Sequence, residues 1–495
     1  MKRKLLLCVC ILGALVAVAW ACLKTIEKKA DSTKLPDERS FVQVSKIDPR
    51  YFELSNGKAF IPVGPNICFP RLILDEKLGF ENIEMMYKNL AKYGANYSRI
   101  YLSAEFFEIE NEQQSVFSES QIKRVDRILD LAKEYNLRIK FCFEMFRFLK
   151  DSTKRFPGSG VFEKPIYHID NGGTFTTPDE YFNSEKGKKV YMERVSFIVN
   201  RYKDNPYVFG WELWNEFNTV EMSGGNEAMV AWTEDMLTRV HSLDANHLVM
   251  QNLGSFDNNS SRAIYHGICT IPNNDVANVH RYIDLGARFQ VCHGPMDILT
   301  SDAIKELRNF GLNKPILLAE TGAVEPYHAE PFKLYPKDSA GIILHDLLFA
   351  PFFAGSAGSG QSWHWKEYLE CNDLWYMFGR FNNAIKGINP LIENFQPTEF
   401  EIPSCRSYML KGNKTILIWS RDTQSDWRTE LIEDRKPSII ESAIKIAELG
   451  VSEKDIKSIQ VYNPWTDKWS KGKVMDQSIK LPPFTRSVVV KIQLN

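Results

Sequence analysis

The chain has 495 residues, which is long for one ordinary domain, although a single α/β barrel takes up about 250 to over 400 residues. Its 61 Lys and Arg residues balance 62 Asp and Glu residues, so the net charge of −1 argues against a polyanion binder and no nucleic acid partner is expected. Hydrophobic residues at 44% and charged residues at 25% are typical of a globular protein, and the ordinary counts of 28 Gly and 23 Pro exclude collagen-like and disordered classes.

The N-terminus carries a targeting pattern. Three basic residues at positions 2–4 precede an uncharged run from Leu5 to Leu23, and Ala19-Trp20-Ala21 has the small-x-small form of a cleavage site. These features predict a signal peptide over residues 1–22. Three alternatives stay open: a cleaved secretory signal, a retained anchor, or, from a resemblance to the bacterial lipobox, lipid attachment at Cys22. All three place the chain outside the cytoplasm, as a secreted, periplasmic or outer-surface protein whose membrane attachment, if any, is through the N-terminus only.

The next segments predict a tether and then a series of strands and helices. Residues 23–40 are polar and charged and are predicted to be flexible, and the Asn56-Gly57 turn that follows predicts a β-hairpin that closes the bottom of the fold. Short apolar strands then alternate with amphipathic helices. The predicted strands are Phe60–Val63, Tyr97–Leu102, Arg138–Phe143, Tyr207–Trp211, Leu248–Gln251, Val276–Val279, Ile316–Ala319 and Gly360–Trp363.

This alternation predicts an α/β fold, a (β/α)₈ TIM barrel over residues 41–390 with parallel strands and right-handed crossovers. Beyond Pro390 the sequence "SYMLKGNKTILIWSRD" and similar strand-turn-strand patterns predict a C-terminal antiparallel β-sandwich domain over residues 391–495. No GxGxxG follows the first strand, and the sequence has neither a P-loop nor an HExxH motif. No cofactor and no metal are therefore expected.

The cysteines give no metal or redox motif. They are widely spaced and include no CxxC pair beyond the N-terminal segment, so neither a zinc ribbon nor a thioredoxin motif is indicated. Buried free thiols and disulfide bridges remain equal alternatives for the six that follow Cys22. These are Cys68, Cys142, Cys269, Cys292, Cys371 and Cys405.

Candidate catalytic residues are sought at the C-terminal ends of the strands, where barrel enzymes place their reactive groups. The fourth strand ends in "WELWNEF", which contains Glu216, and the seventh, "PILLAE", ends in Glu320. Two carboxylates across a barrel mouth suit glycosidic bond cleavage, because one protonates the leaving oxygen while the other attacks the anomeric carbon. A separation of about 5–5.5 Å would predict retention of configuration. Glu212 is interpreted as a decoy that lies within the strand or faces away.

The same motifs carry a family resemblance. "WELWNEF" resembles the Asn-Glu motif of clan A glycoside hydrolases, which include family 5, and the similarity spans roughly residues 50–390. The resemblance implies that Glu216 is the acid/base and that Glu320, in "LLAETG", is the nucleophile. The residues that it implies for substrate binding and for support of the nucleophile are Arg99, Asn215, His280, Tyr282 and Trp363.

Each supporting residue has an expected role. By the resemblance, Tyr282 of the His280-x-Tyr282 pair orients the nucleophile, Arg99 contacts the nucleophile, and Trp363 forms a sugar platform. Charge-assisted bonding by Arg99 would keep Glu320 ionised, and Asn215 would bond the substrate 2-OH. Burial and the charge of Glu320 would raise the pKa of Glu216, so that it stays protonated near neutral pH.

The expected activity is that of a retaining glycosidase whose partner is a carbohydrate. The resemblance points to the mannanase and endoglucanase members of family 5, and therefore to β-mannan or β-glucan polymers or oligosaccharides cleaved by an endo-1,4-β-mannanase or a β-mannosidase. The third strand, in "RIKFCFEMFRF", lacks the His usual in that family. The long segment 150–183 after it predicts a walled cleft and exo action or short substrates. The alternatives are an inactive surface glycan-binding protein and an enzyme of unrelated chemistry on the same barrel.

Overall fold

The computed structural model describes residues 37–71, 73–145, 166–220 and 222–495. The predicted signal peptide, most of the tether and the lipid attachment at Cys22 lie outside the described residues, as does about half of the segment 150–183, and they stay predictions. Within the described residues no helix is both long enough and apolar enough to cross a bilayer.

A small antiparallel sheet precedes the barrel. Its strands are β1 (Val42–Val44), β2 (Phe52–Leu54) and β3 (Ala59–Phe60), and the predicted Asn56-Gly57 turn joins the last two. Gly57 has a φ of 87°, a left-handed conformation that glycine adopts without steric cost. Phe52 packs edge-on against Phe209, near the N-terminal end of a barrel strand, with ring centroids 5.4 Å apart. The hairpin therefore closes the bottom of the barrel, as predicted.

The barrel is confirmed. Its regular strands are β4 (Tyr97–Tyr101), β5 (Arg138–Cys142), β6 (Val208–Glu212), β7 (Leu248–Met250), β8 (Ala277–Ile283) and β9 (Ile316–Ala323). The first four form one parallel sheet and the last two form another. Backbone hydrogen bonds from Asp275 to Val249 (3.1 Å) and from Phe256 to His280 (2.8 Å) join the two sheets.

The first and eighth predicted strands differ from expectation. Phe60 pairs in the antiparallel sheet, and extended segments at 62–68 and 357–363 complete the barrel without forming regular ladders. Pro62 has no N–H to contribute to a ladder. Gly358 brings the eighth segment so close that a Cβ on it would lie 2.5 Å from the Pro62 carbonyl oxygen. The segments still bond their neighbours, as Gln361 N–H does to the Leu318 carbonyl at 2.9 Å.

Helices separate the barrel strands. They are α1 (Glu76–Lys92), α2 (Glu119–Glu134), α3 (Pro178–Asn183), α4 (Glu185–Tyr202), α5 (Gly225–Leu243), α6 (Ser261–Thr270), α7 (Met296–Arg308), α8 (Ile342–Phe353), α9 (Tyr376–Ala384) and α10 (Pro390–Glu393). The longer amphipathic helices match the predicted positions. The sequence did not predict α6, which has only ten residues and begins without a side-chain cap. Every residue of α8 is buried, because the helix lies between the barrel and the C-terminal strands.

The C-terminal part is an antiparallel sandwich. Its strands are β10 (Gln396–Ile402), β11 (Cys405–Lys411), β12 (Thr415–Asp422), β13 (Ala443–Lys445), β14 (Ile456–Asn463), β15 (Lys468–Lys471), β16 (Lys473–Met475), β17 (Ser478–Lys480) and β18 (Ser487–Leu494). A six-stranded sheet has the order β10-β11-β12-β18-β14-β15, and a three-stranded sheet has the order β13-β17-β16. Apolar side chains from both sheets form a core between them. The precise domain boundaries stay a prediction.

Two Arg–Asp pairs, each with a buried aspartate, join the six-stranded sheet to the barrel. Arg406 of β11 bonds both carboxylate oxygens of Asp297 on α7, at 2.9 and 3.0 Å. Arg421 of β12 bonds both oxygens of Asp346 on α8, at 2.7 and 3.1 Å. Such bidentate bonds fix orientation as well as distance. The sandwich is therefore held in a defined orientation on helices α7 and α8.

The six described cysteines are free thiols. Five of them are buried, and Cys371 is exposed. Of the two alternatives that the sequence left open, the structure favours buried thiols for the described residues.

Candidate active site

A buried cluster of charges lies inside the barrel beneath the site. Strand register places Arg99 of β4 beside Lys140 of β5, and Cys142 beside Glu212 of β6. Arg99 donates to Glu212 and, through Nη1, to Glu320 Oε2 at 2.8 Å. Lys140 Nζ lies 2.7 Å from the other oxygen of Glu212. Glu212 is the last residue of β6, so of the two alternatives the one within the strand is correct. The other alternative, that it faces away, is wrong, because its side chain points into the barrel as the counter-charge of two neighbouring cations.

Glu212 is held as a carboxylate. Burial alone would raise its pKa, but the charges of Arg99 and Lys140 outweigh that effect and lower the pKa to about 2. Burial lowers the pKa of Lys140, and Glu212 opposes this shift. The cluster therefore brings together two basic side chains and the two carboxyl groups of Glu212 and Glu320.

Glu320, the predicted nucleophile, is fixed through both oxygens. It lies on β9, is 5% exposed, and accepts a hydrogen bond at Oε1 from the Tyr282 hydroxyl at 2.5 Å. Oε2 accepts from Arg99 at 2.8 Å and from the Tyr101 hydroxyl at 3.4 Å. Tyr101 is not among the site residues predicted from the sequence. It lies two residues after Arg99 on one strand, so both side chains share a face, and this spacing is the signal that was missed.

Glu216, the predicted acid/base, follows β6 in a strained backbone conformation. Its φ of 52° is uncommon for a residue with a Cβ, and such strain collects at functional sites. Its N–H donates to Asn252 Oδ1 at 2.7 Å. Its side chain is 16% exposed, compared with 7% for Glu320. The backbone turn therefore directs a partly accessible carboxyl group into the barrel mouth.

The surroundings of Glu216 raise its pKa. Burial is the main cause, and the charges of Asp257 and Glu212 add to it, while His328 and Arg99 act in the opposite direction. The expected repulsion from Glu320 is not among these main causes. The side chain is therefore suited to carry a proton at a higher pH than an ordinary glutamate does.

His280 lies between the two candidate carboxyl groups. It is beside Glu320 in the register of β8 and β9, and its Nδ1 lies 3.0 Å from Glu216 Oε1 and 3.8 Å from Glu320 Oε1. Burial lowers its pKa to about 4, so the ring is neutral at neutral pH. A neutral imidazole can donate to an ionised Glu216 or accept from a protonated one, according to its tautomer.

The two carboxyl groups are close together. One nitrogen or oxygen atom from each of Glu216, His280 and Glu320 lies within 4.8 Å of the other two. The carboxyl groups therefore approach as in retaining glycosidases, where about 5–5.5 Å separates them, and not as in inverting ones, where the separation is about 6.5–9.5 Å. The same atoms are of the types that bind metals. A cation bound to Glu320 would, however, compete with the hydrogen bonds from Tyr282 and Arg99.

Asn215 lies where the motif predicts. It is 2% exposed, and its Oδ1 accepts from Arg99 Nη2 at 2.8 Å. A hydrogen bond from Asn215 to a substrate hydroxyl therefore has to come from Nδ2. Its N–H donates to the carbonyl of Glu144, which follows β5, the third strand of the barrel, where the family His is missing. The Glu144 side chain pairs with buried Arg194 at 3.1 Å.

The aromatic residues divide into core and rim. Trp363 is half-buried and contacts Tyr101, with centroids 5.9 Å apart, whereas Trp365 is 1% exposed and meets Trp363 edge-on at 4.9 Å. On a regular strand two residues this far apart would share a face, but His364 between them has a φ of 59° and breaks the strand conformation. Three other tryptophans are buried in the core, namely Trp211, Trp214 and Trp375.

Comparison with known proteins agrees with this architecture. The family model of cellulase (glycosyl hydrolase family 5) matches residues 72–332. A mannan endo-1,4-beta-mannosidase 1 of Arabidopsis thaliana is 27% identical over 210 residues, which are 37% of this chain and 50% of that protein. A mannan endo-1,4-beta-mannosidase 7 of the same plant is 32% identical over 174 residues, 30% of this chain and 40% of that protein. The chain thus spans about half or less of the length of these curated relatives.

A solved structure extends the similarity to both parts of the fold. A protein described as a glycoside hydrolase has a TM-score of 0.59 at 13% identity, over 93% of this chain and 98% of that one. At this identity the likeness shows the fold alone. The family match covers more than half of the sequence and includes both candidate glutamates. The chain therefore belongs to glycosyl hydrolase family 5.

Proposed function

We propose that this protein is a retaining glycoside hydrolase that cleaves a β-linked mannan, with Glu320 as the nucleophile and Glu216 as the acid/base. The observation that carries the proposal is the approach of these two carboxyl groups to within 4.8 Å in unlike surroundings. β-Mannan is favoured over β-glucan because the curated relatives above are named as mannan endo-1,4-beta-mannosidases.

In the first step Glu320 attacks the anomeric carbon of the bound sugar. Glu216 gives its proton to the glycosidic oxygen as the bond between that oxygen and the anomeric carbon breaks. The leaving sugar departs with the proton, and the other sugar stays bound to Glu320 as an ester. Burial favours the protonated Glu216 that this step needs.

In the second step Glu216, now ionised, accepts a proton from water. The water oxygen attacks the anomeric carbon and the ester bond to Glu320 breaks. Each step inverts the anomeric centre, so the product keeps the configuration of the substrate. His280 Nδ1, 3.0 Å from Glu216 Oε1, donates to the ionised carboxylate in one neutral tautomer and accepts from the protonated carboxyl group in the other.

The residues around Glu320 support its role as a nucleophile. Arg99 and Tyr282 each hold one carboxylate oxygen, which fixes the direction of attack. Trp363 is proposed as the platform beneath the sugar that becomes attached, since its ring is half-buried beside Tyr101, which itself reaches Glu320.

The test uses mannan, β-glucan and xylan with wild type, Glu320→Gln and Glu216→Gln. Glu330→Gln serves as the matched control, because Glu330 is exposed on the loop after β9. Wild type and the control are expected to release reducing ends from mannan, and proton NMR should show the β anomer first. Both active-site variants should lose activity by at least about 10³-fold. Mannan binding without turnover in wild type would instead indicate an inactive glycan-binding protein.

Azide rescue distinguishes the catalytic roles of the two glutamates. With an activated aryl β-mannoside and Glu320→Ala, azide is expected to replace the nucleophile and give the α-mannosyl azide. With Glu216→Ala, azide is expected to attack the ester on Glu320 and give the β-mannosyl azide. Exchanged products would reverse the two assignments.

Two finer properties belong to the same proposal. The relatives' names favour endo action, whereas the segment 150–183 led us to expect exo action or short substrates, and the sizes of the first products from mannan distinguish the two. We also propose export from the cytoplasm, with lipid attachment at Cys22 as one form of it, on the basis of residues 1–22. Membrane association that is lost in Cys22→Ala would support lipid attachment.

A further inference from the structure

An exposed aromatic ring lies on the loop that leaves the nucleophile strand. Tyr327 is 81% exposed and comes seven residues after Glu320. Tyr327 and His328 have φ values of 63° and 54°, so two consecutive residues with a Cβ occupy the left-handed region. This conformation is unfavourable for such residues and persists only where surrounding contacts impose it.

The contacts that impose it come from the neighbouring loop after β8. The Tyr327 N–H donates to Asp284 Oδ1 at 2.9 Å, and the same oxygen accepts from Gly286 N–H at 2.7 Å. A Cβ on Gly286 would lie 2.6 Å from the Tyr327 nitrogen and 2.8 Å from its ring, so the approach requires glycine. An isolated bridge between Val324 and Pro331 closes the base of the loop. The backbone that carries the exposed ring is thus fixed by these contacts.

His328 connects this loop to the catalytic groups. Its ring meets Tyr282 edge-on with centroids 5.0 Å apart, and Tyr282 donates to Glu320. Its Nε2 lies 3.2 Å from Ser255 Oγ in the loop after β7. A positive charge on His328 would lower the pKa of Glu216. The imidazole therefore lies near both candidate carboxyl groups.

The two aromatic sides of the site are distinct. Trp363 contacts Tyr101 of β4, whereas His328 contacts Ser255 and lies beside Asp284 in the loop after β8. If the sugar that joins Glu320 rests on Trp363, the leaving sugar extends past Glu216 toward the opposite side. That side is the one that carries His328.

We propose that Tyr327 and His328 form the subsite for the leaving-group sugar, which is also the subsite for an acceptor sugar in transfer reactions. The inference rests on the proposed function. The Tyr327 ring offers a flat apolar face for the C–H face of a pyranose, and His328 and Ser255 offer polar atoms for its hydroxyl groups. Neither residue belongs to the family motif that marks the catalytic centre.

The test measures sugar transfer. Wild type, Tyr327→Ala and Tyr327→Phe react with 2,4-dinitrophenyl β-mannobioside in the presence of mannobiose as acceptor. The amount of dinitrophenolate released measures how much glycosyl-enzyme forms. The amount of mannotetraose measures how much of it is transferred to the acceptor. The ratio of mannotetraose to dinitrophenolate is expected to fall about 3- to 10-fold in Tyr327→Ala and to be kept in Tyr327→Phe, which retains the ring. Trp469→Ala removes another partly exposed aromatic ring, on β15, and should leave the ratio unchanged.

A second measurement is needed if hydrolysis of the glycosyl-enzyme is much faster than transfer to mannobiose. With mannohexaose, Tyr327→Ala is expected to lower kcat/KM by a similar factor, mainly through a higher KM. An active wild type with the same transfer ratio and the same kcat/KM in Tyr327→Ala overturns the subsite alone. A wild type that releases no dinitrophenolate from the mannobioside or from the matching cellobioside overturns the proposed function together with the subsite.

Discussion

The buried charges beneath the site make a quantitative prediction about Lys140. Its Nζ lies 2.7 Å from Glu212 Oε2, and both side chains are fully buried. Lys140→Met keeps most of the side-chain volume but leaves Glu212 buried with Arg99 alone. Removal of one partner of a buried ion pair costs about 3–5 kcal/mol. The free energy of unfolding at pH 7 is therefore expected to fall by that amount.

The pKa of Glu212 gives an independent magnitude. Its shift from the usual 4.5 to about 2 corresponds to ~3 kcal/mol of stabilisation of the folded state. Because the folded pKa is the lower one, this stabilisation is complete above about pH 4.5 and is lost as the pH falls toward 2. In Lys140→Met the stability of the protein should therefore depend less steeply on pH across this range.

A double-mutant cycle tests the reasoning. Glu212→Gln alone leaves Arg99 and Lys140 side by side with only Glu320 as a counter-charge, so it should also destabilise the protein. The double variant restores one cation and one carboxylate, and its cost should be smaller than the sum of the single costs by about 2–3 kcal/mol. Urea unfolding followed by tryptophan fluorescence measures all four proteins. A single-variant cost below about 1 kcal/mol, or additive costs, would refute the ion-pair account.

The activity of the same variants tests the link to the nucleophile. Arg99 divides its guanidinium between Glu212 and Glu320. Without Lys140, Arg99 is the only cation paired with Glu212, and its hydrogen bond to Glu320 is expected to weaken. The value of kcat should therefore fall about tenfold or more, and it should recover in part in the double variant. Unchanged kcat in a destabilised Lys140→Met protein would show that the cluster has a structural role only.

Three further predictions concern acid/base chemistry, the domain contact and metal. Asp257→Asn should lower the pKa of Glu216, because it removes a nearby negative charge, and should move the alkaline limb of kcat/KM to lower pH; an unmoved limb would contradict this. Trp427→Ala should cost about 3–5 kcal/mol of unfolding free energy in a urea titration, since the buried indole meets Phe332 edge-on at 5.5 Å and donates to the Gly294 carbonyl at 3.0 Å. Dialysis against EDTA should leave kcat unchanged, because protein donors already occupy both oxygens of the nucleophile; a loss restored by a divalent cation would indicate a metal site.

Most of the candidate site could be located from the sequence because barrel topology brings strand ends together. Glu216, Glu320 and Arg99 each follow or belong to an apolar stretch, and their order along the chain fixes their neighbours once the fold is a barrel. Tyr282 follows His280 by two residues and therefore shares its face. Local patterns were sufficient for these residues, and the structure brings them into contact.

Glu212 could not be assigned in this way. Its direction depends on the register of three strands, and its partner Lys140 looks like an ordinary strand residue in the sequence. The same limit applies to Asp257, whose charge acts on Glu216 from a separate loop. The first and eighth barrel segments were recognised as extended, but the loss of regular ladders there arises from prolines and close glycine contacts whose effect depends on neighbours distant in sequence.

The barrel depends on the C-terminal sandwich for its stability, because exposing to water the surfaces that the sandwich covers would be energetically unfavourable. Together with the barrel it buries every residue of α8, a helix with apolar residues around its whole circumference. It also supplies the arginines that pair with buried Asp297 and Asp346, and those carboxylates would lose their partners without it.

The same contact extends to the loop beside the nucleophile. Trp427 packs on Phe332, and Phe332 packs on Tyr335 with centroids 5.9 Å apart. The Tyr335 hydroxyl accepts from the Ala323 N–H at 2.7 Å, at the end of the strand that carries Glu320, and lies 3.1 Å from His364 Nδ1. A chain of packed rings thus connects the sandwich to the end of β9. The sandwich is therefore expected to support the position of the nucleophile strand in addition to the stability of the fold.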